Sequence, residues 1–328
     1  MAIGSGLGAQ LSIGAETTYG TYVAPGKHLE FNKADIKLAK TTAQSAGIAA
    51  GRLLALSSRR VVTQRQASGS LELEVTNKGM GLLLQALMGT TVTPVQQGAG
   101  PAYLQTHTLA DTFGKSLVMQ LGVPLTTGSV TDKTFVGCKI VSAEFSCEVG
   151  GMLVATFEID SKDCDETQTL VVASYSSMSP FHFGQMALKT GVFASEAARD
   201  GIRKVSVKLE RPQAVERFYA GQAGLKKEPI SNDQVKITGS IEMDYVDTTF
   251  DDLHTSDGAT SLIWEFVGPN IASTFFETFR VKLPAIRFDD APPTVEGFDV
   301  VRPTLSFTGL YDGTNQPAIE YISTDTTL

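Results

Sequence analysis

The densest candidate for chemistry in this chain is the acidic turn "DSKDCDE", where Asp160, Asp163, Asp165 and Glu166 place four carboxylates within a short stretch. Hard oxygen ligands at that density could hold Ca²⁺, but the stretch lacks the glycine and the terminal glutamate of an EF-hand loop, and a solvated acidic turn is the simpler reading. His28, His107, His182 and His254 are scattered, with no HExxH and no close pair, so neither a zinc site nor a histidine general base is outlined. Ser12 in "QLSIG" lacks the first glycine of a nucleophile elbow, and "GSGLG" (4–8) has no strand ahead of it, as a dinucleotide loop requires. Cys138, Cys147 and Cys164 form an odd set without CxxC spacing and read as buried or idle thiols. Cys138 and Cys147 have opposite parity and are expected on opposite faces of an extended strand. Trp264 lies in an apolar strand and reads as core. No catalytic, cofactor-binding or metal-binding residue is assigned, and the chain is not read as an enzyme.

The composition bounds the class. With 328 residues, 42% of them hydrophobic, the chain can form one large or two ordinary domains with real cores. It carries 27 basic against 35 acidic residues, a net charge of −8, so its bulk field repels phosphate and argues against a nucleic-acid clamp. The start "MAIGSGLGAQ" has neither the basic nor the apolar region of a secretory signal, and "MGLLLQALMG" is too short to span a bilayer. Synthesis in a reducing cytoplasm, with no membrane partner, is the expectation.

The elements come in two sets. "GSLELEV" (69–75) returns as "GSIEMDY" (239–245), 170 positions later. "SLVMQLGVP" (116–124) matches "SLIWEFVGP" (261–269) at an offset of 145, "TFVGCKIVSAEF" matches "TFRVKLPAIRF" at 144 falling to 143, and "ATFEID" (155–160) matches "LSFTGL" (305–310) at 150. Four matches in one order point to tandem duplication, with the Gly/Pro/Thr/Gln-rich stretch 89–114 as an insertion in the first copy. Each copy opens on a strand of period two: Leu71, Leu73 and Val75 opposite Ser70, Glu72 and Glu74, then Ile241, Met243 and Tyr245 opposite Ser240, Glu242 and Asp244. A short helix follows, "KGMGLLLQALM" capped by Asn77 and ended by Gly89, and "TTFDDLHTS" capped by Asp247 and ended by Gly258. Long polar stretches, 41–66 and 211–233, precede the acidic strands and read as functional or disordered loops carrying Arg59, Arg60, Arg65, Lys226 and Lys227. The division expected is an N-terminal arm (1–27), unit 1 (28–175) and unit 2 (176–328), mostly β, with one short helix and one long loop per unit.

The stretch "GAETTYGTYVAPGKHLEF" (14–31) resembles the opening of bacteriophage tail tube proteins, also called major tail proteins, of long-tailed phages. The resemblance lies in Glu16, then Tyr19-Gly20-Thr21, Pro25 and the strand start Leu29-Glu30-Phe31; "ASGSLELEVTNKGMGLLLQALMG" (67–89) is similar to the family's glycine-led acidic strand running into a leucine-rich helix. This resemblance implies β-sandwich units whose inner sheets join into one ring-shaped barrel, six units to a ring, with rings stacked into a tube and long loops reaching the neighbouring ring. Two units per chain then favour a trimer of pseudo-sixfold symmetry over a hexamer. It implies a virion protein that meets itself, the terminator, tape-measure and distal tail proteins, and passing double-stranded DNA without binding it. Another tail component of related fold, and a cytoplasmic β-rich binding module or enzyme, stay open as alternatives. At about four strands per unit, the strand spacing gives a barrel of roughly 45–50 Å and a bore of about 35–40 Å. A duplex roughly 20 Å across, with about one phosphate per 1.7 Å, would pass. Glu72, Glu74, Glu242 and Asp244 are expected to face that lumen, because carboxylates repel the polyanion. Arg59, Arg60, Arg65, Lys226 and Lys227 are expected to meet acidic surfaces such as "DSKDCDE" or "DTTFDD" on an adjacent ring.

Overall fold

The computed structural model describes residues 3–290 and 297–328. Its first half runs β1 (Gln10–Ala15), β2 (Lys27–Leu29), β3 (Lys33–Ala34), β4 (Lys37–Gln44) and β5 (Arg60–Glu74) into helix α1 (Gly81–Met88). Then follow β6 (Val95–Gln96), β7 (Tyr103–Thr108), β8 (Leu117–Pro124), β9 (Val130–Glu148), β10 (Val154–Ser161) and β11 (Asp163–Asp165). The second half runs β12 (Met186–Val192), β13 (Ser195–Ala198), β14 (Ile202–Glu210) and β15 (Lys236–Met243) into α2 (Thr249–Thr255). It ends with β16 (Thr260–Ala272), β17 (Phe275–Phe288), β18 (Thr304–Leu310) and β19 (Ala318–Ser323). The protein is mostly β, and its strands pair antiparallel.

The two halves pair their strands in one pattern. β1–β2, β1–β8 and β8–β9 recur as β12–β13, β12–β16 and β16–β17. β4–β5, β5–β10, β10–β9 and β9–β11 recur as β14–β15, β15–β18, β18–β17 and β17–β19. The halves meet where β14 pairs with β9, Ser206 opposite Ser146 and Glu210 opposite Ser142. A continuous ladder β4-β5-β10-β9-β14-β15-β18-β17 results, and among the described residues no strand pairs with the outer edge of β4. Alternation explains the packing: Leu71, Leu73, Phe157, Phe145, Val207, Ile241 and Phe307 turn to one side of this ladder and are buried in a common core. Each such side chain contributes about 1.5–3 kcal/mol by leaving water.

The repeated glycine has a steric cause. A Cβ on Gly69 would lie 1.8 Å from the Asp35 carbonyl oxygen, and one on Gly239 would lie 2.5 Å from the Ser206 carbonyl oxygen and 2.3 Å from the Phe307 ring. Both glycines let the neighbouring strand's backbone close in.

Several expectations are corrected. Residues 10–15 are not part of a free arm; β1 lies between β2 and β8 with Leu11 and Ile13 fully buried. The insertion 89–114 contributes β7, which pairs with β19 of the second half and places His107 opposite Ile319. The stretch 41–66 is not loop throughout: β4 and β5 pair from Lys37–Ser68 to Gln44–Arg60, which makes its two ends strand and leaves 45–59 as the loop of a hairpin. Asn77 does not cap α1: its amide donates to Glu277 Oε1 (2.6 Å) and its carbonyl accepts from the Ser179 amide (2.8 Å), tying the halves together. Gly89 does end α1, with φ +92°, and Asp247 accepts the Thr249 amide at 2.9 Å. Cys138 and Cys147 both enter the core, because the register of β9 against β10 breaks between Ile140 and Ser142 and the extra residue, Val141, reverses the alternation between the two cysteines. Leu305, not Phe307, stands where Phe157 stands: Phe157 pairs with Leu71 and Leu305 with Ile241, an offset of 148. A two-residue slip keeps every side chain on its face, so the sequence pattern could not detect it.

Candidate functional site

The side of the long ladder turned away from the core is a polar face running across both halves. Glu72 stands opposite Thr156, which stands opposite Glu144; Glu144 stands opposite Lys208, and Lys208 opposite Thr238. Glu242 lies opposite Lys204, which also faces Glu148. Glu72, Glu74 and Glu242 therefore share one face, and Asp244, which continues the alternation of β15, falls on the same side. All four are half-buried. The acidic positions of two strands 170 residues apart are brought to one surface by strand register alone.

The face is mixed in charge. Lys204 pairs with Glu148 (3.3 Å) and Lys208 with Glu210 (2.5 Å). Arg203 approaches Glu242 (3.7 Å), and Arg302 pairs with Asp244 (2.9 Å). Glu72, Glu74, Glu144 and Glu158 have no cation within ion-pair distance among the described residues. Glu144 and Glu158 belong to this group and were not singled out from the sequence, although the alternation in "SAEFSCEV" and "ATFEID" carries them. The uncompensated negative charge is thus concentrated on β5, β10 and β9.

The basic residues of the two loops divide. Lys226 is 1% exposed and its ammonium pairs with Asp160 inside the chain; burial raises the Asp160 carboxyl, and the ammonium opposes that rise. Arg65 pairs with Asp163 at 2.9 Å. Both meet the "DSKDCDE" turn, the acidic segment expected for them, but within their own chain and not on an adjacent ring. Arg59, Arg60 and Lys227 are exposed.

Around Lys226 the segment 211–235 folds down on the first half. Arg211, 4% exposed, donates to the carbonyls of Leu87 (2.9 Å), Met88 (2.8 Å) and Ala110, satisfying the open C-terminal end of α1. Lys139 pairs with Glu228 (2.7 Å), whose Oε1 also accepts the Gly114 amide (2.6 Å). Burial lowers the Lys139 ammonium pKa. The Arg65 amide donates to the Gly224 carbonyl at 2.9 Å.

Glu16 is likewise buried, accepting from Ser116 Oγ (2.6 Å) and the amides of Gly20 (2.8 Å) and Gly137 (2.7 Å). Burial raises its pKa and these three donors oppose it. It holds the turn after β1 against β8 and the kink of β9, which explains an acid ahead of the Tyr-Gly-Thr group. His107 is fully buried beside Gln105, and burial lowers its pKa to about 4. Among the described residues no three His, Cys, Asp or Glu side chains cluster as metal ligands. No helix among them is long and apolar enough to cross a membrane.

A family model described as phage tail tube protein matches residues 6–309. No curated protein matches the chain.

Proposed function

The chain belongs to the phage tail tube protein family, a structural component of the virion tail, and from that premise we propose that it carries two tail-tube units and closes rings of three chains that stack into a DNA conduit. One observation carries the reading: seven strand pairings of the first half recur in the second, and the two halves join edge to edge through β9 and β14. A ladder built from two like pieces, four strands each, joined head to tail ends in unlike edges, β4 as the counterpart of β14 and β17 as that of β9, and such complementary ends satisfy each other by adding further copies. Six four-strand pieces give about 24 strands and a barrel of roughly 45–50 Å, wide enough for a duplex.

In that ring the buried side of the ladder is the wall and the polar side the lumen. Glu72, Glu74, Glu242 and Asp244, with Glu144 and Glu158, line the bore. Lysines are present, but Lys204 and Lys208 are held by Glu148 and Glu210, so the passing polyanion meets no free cation at those positions. Terminator, tape-measure and distal tail proteins meet the ends of the tube, and Arg59, Arg60 and Lys227 are the exposed cations available to a neighbouring copy.

Negative-stain microscopy of the concentrated protein tests this: hollow tubes or stacked rings with threefold averages that approximate sixfold are expected. Discrete particles without a bore would refute it.

A further inference from the structure

Two buried ion pairs fasten the segment 211–235 to the first half, and they differ in how exclusively their groups hold each other. In the pair Lys139–Glu228 (2.7 Å), Lys139 also donates to the Thr112 carbonyl and Glu228 Oε1 also accepts the Gly114 amide, so the fold solvates both charges. In the pair Lys226–Asp160 the side chains are 0% and 10% exposed. The Lys226 ammonium lies on Asp160 Oδ1, and its other hydrogen-bond partner is Gln66 Oε1 at 3.4 Å. Asp160 Oδ2 is buried with no hydrogen-bond partner among the described residues.

An amine and a carboxyl group held in contact, out of water and with little else to bind, are placed to react. Joining them removes two buried charges whose desolvation is costly. The fold supplies the proximity that free groups lack, an effective concentration of about 10⁵–10⁸ M for well-oriented neighbours. Exclusion of water then protects the product from hydrolysis.

We propose that Lys226 and Asp160 condense, once the chain has folded, into an isopeptide bond. A proton passes within the pair from the ammonium to the carboxylate, leaving an amine and a carboxylic acid. The Nζ lone pair attacks Cγ and the C–N bond forms. One C–O bond breaks, and that oxygen departs as water with two of the three ammonium protons. Nothing is oxidised or reduced, and the net charge of the chain is unchanged. Burial raises the Asp160 carboxyl pKa, which favours the protonated acid that the step needs.

Tyr19, from the Tyr-Gly-Thr group, is the residue available to assist. Its ring lies on the bare Gly137 of β9, where a Cβ would stand 2.9 Å from it. Its hydroxyl is buried with no hydrogen-bond partner among the described residues, and burial and then the Asp160 charge push its pKa up, so it lies in the field of the reacting carboxyl. A neutral hydroxyl there donates to the oxygen on which negative charge develops during attack. The bond ties β10 of the first half to the 211–235 segment of the second, across 66 positions of sequence, and restricts the unfolded chain as a disulfide does.

The step occurs within one chain and needs no ring, so intact mass spectrometry of the denatured full-length protein reads it directly, after the folded chain has stood at neutral pH. A wild-type mass short by one water is expected, whereas Lys226→Arg, whose guanidinium does not attack, has its full mass. A tryptic digest of the wild type is expected to hold a branched peptide that joins the Asp160 and Lys226 segments. Full wild-type mass, with trypsin cutting after Lys226, would overturn the bond. Should Lys226→Arg fail to fold, the branched peptide decides alone: its presence supports the bond and its absence removes it. Followed from a pulse of synthesis, Tyr19→Phe is expected to lose water about 100-fold more slowly than the wild type. An unchanged rate would overturn the part given to Tyr19.

Discussion

The two hairpin loops, 211–235 and 45–59, hold matching positions in the strand pattern but differ in nearly every physical respect. The first presses two cations, Arg211 and Lys226, and one anion, Glu228, into the body of the protein, where carbonyls at the end of α1, Asp160 and Lys139 of β9 answer them in turn. The second lifts apolar and basic residues into water. What separates them is whether the surface to be covered lies in the same chain. A loop that finds its surface within its own chain buries its charges against partners there, at the expense of Arg211 Nε and Asp160 Oδ2, which are buried without a partner, and a loop that finds no such surface stays exposed.

Breaking the packed loop should have the largest effect. Lys226→Ala leaves Asp160 buried without its cation and is expected to cost about 3–5 kcal/mol, read as a fall in the denaturant midpoint. Lys226→Met, which keeps the volume but not the charge, should also destabilise while Asp160 is present and recover when Asp160→Asn is added. Recovery of nothing would show that packing, not the ion pair, holds the loop.

Acid should act next, through the strand that links the halves. His107 on β7 is held neutral, with a pKa of about 4 against 6.5 when unfolded. Between those values the unfolded chain binds the extra proton, so stability rises with pH across the window and falls as pH drops from 6.5 through 4, by about 3 kcal/mol in all. Thermal melts at stepped pH should show this slope, and His107→Gln should flatten it. An unchanged slope would assign acid sensitivity elsewhere.

The glycines sharpen the comparison between halves. Gly69→Ala forces Cβ into the Asp35 carbonyl and is expected to cost more than about 2 kcal/mol. Gly239→Ala should cost a similar amount, since the Ser206 carbonyl and the Phe307 ring both stand in the way. A neutral result at either site in chemical denaturation would mean the halves do not share this packing. The exposed loop should respond least in the monomer: Arg59→Glu with Arg60→Glu is expected to change stability by under about 0.5 kcal/mol while shortening or abolishing tubes. Tubes of normal length would remove these arginines from assembly.

Much of this was legible in the sequence because it depends on neighbours along the chain. Period-two alternation marks β5 and β15, Gly89 stops α1, and Trp264 sits in the core as its apolar flanks suggest. Asp247 reaches the start of α2 for the same local reason. The loops were misjudged at Lys226 and Arg65 because the partner that decides each one, Asp160 or Asp163, is distant along the chain and carries no local mark. β7 was hidden in a stretch of turn-forming residues because its strand character comes from β19, more than two hundred positions away.

The residue types and their alternation, by themselves, determined that this is a β protein with two acidic strands, two short helices and a net negative field, since local sterics and side-chain polarity suffice for that. Only the folded chain decided that the acids of both strands share one surface, that one basic loop is buried and the other free, and that both core thiols of β9 face inward. Those outcomes turn on register and on which distant backbone closes against which glycine, and neither leaves a trace in the order of neighbouring residues.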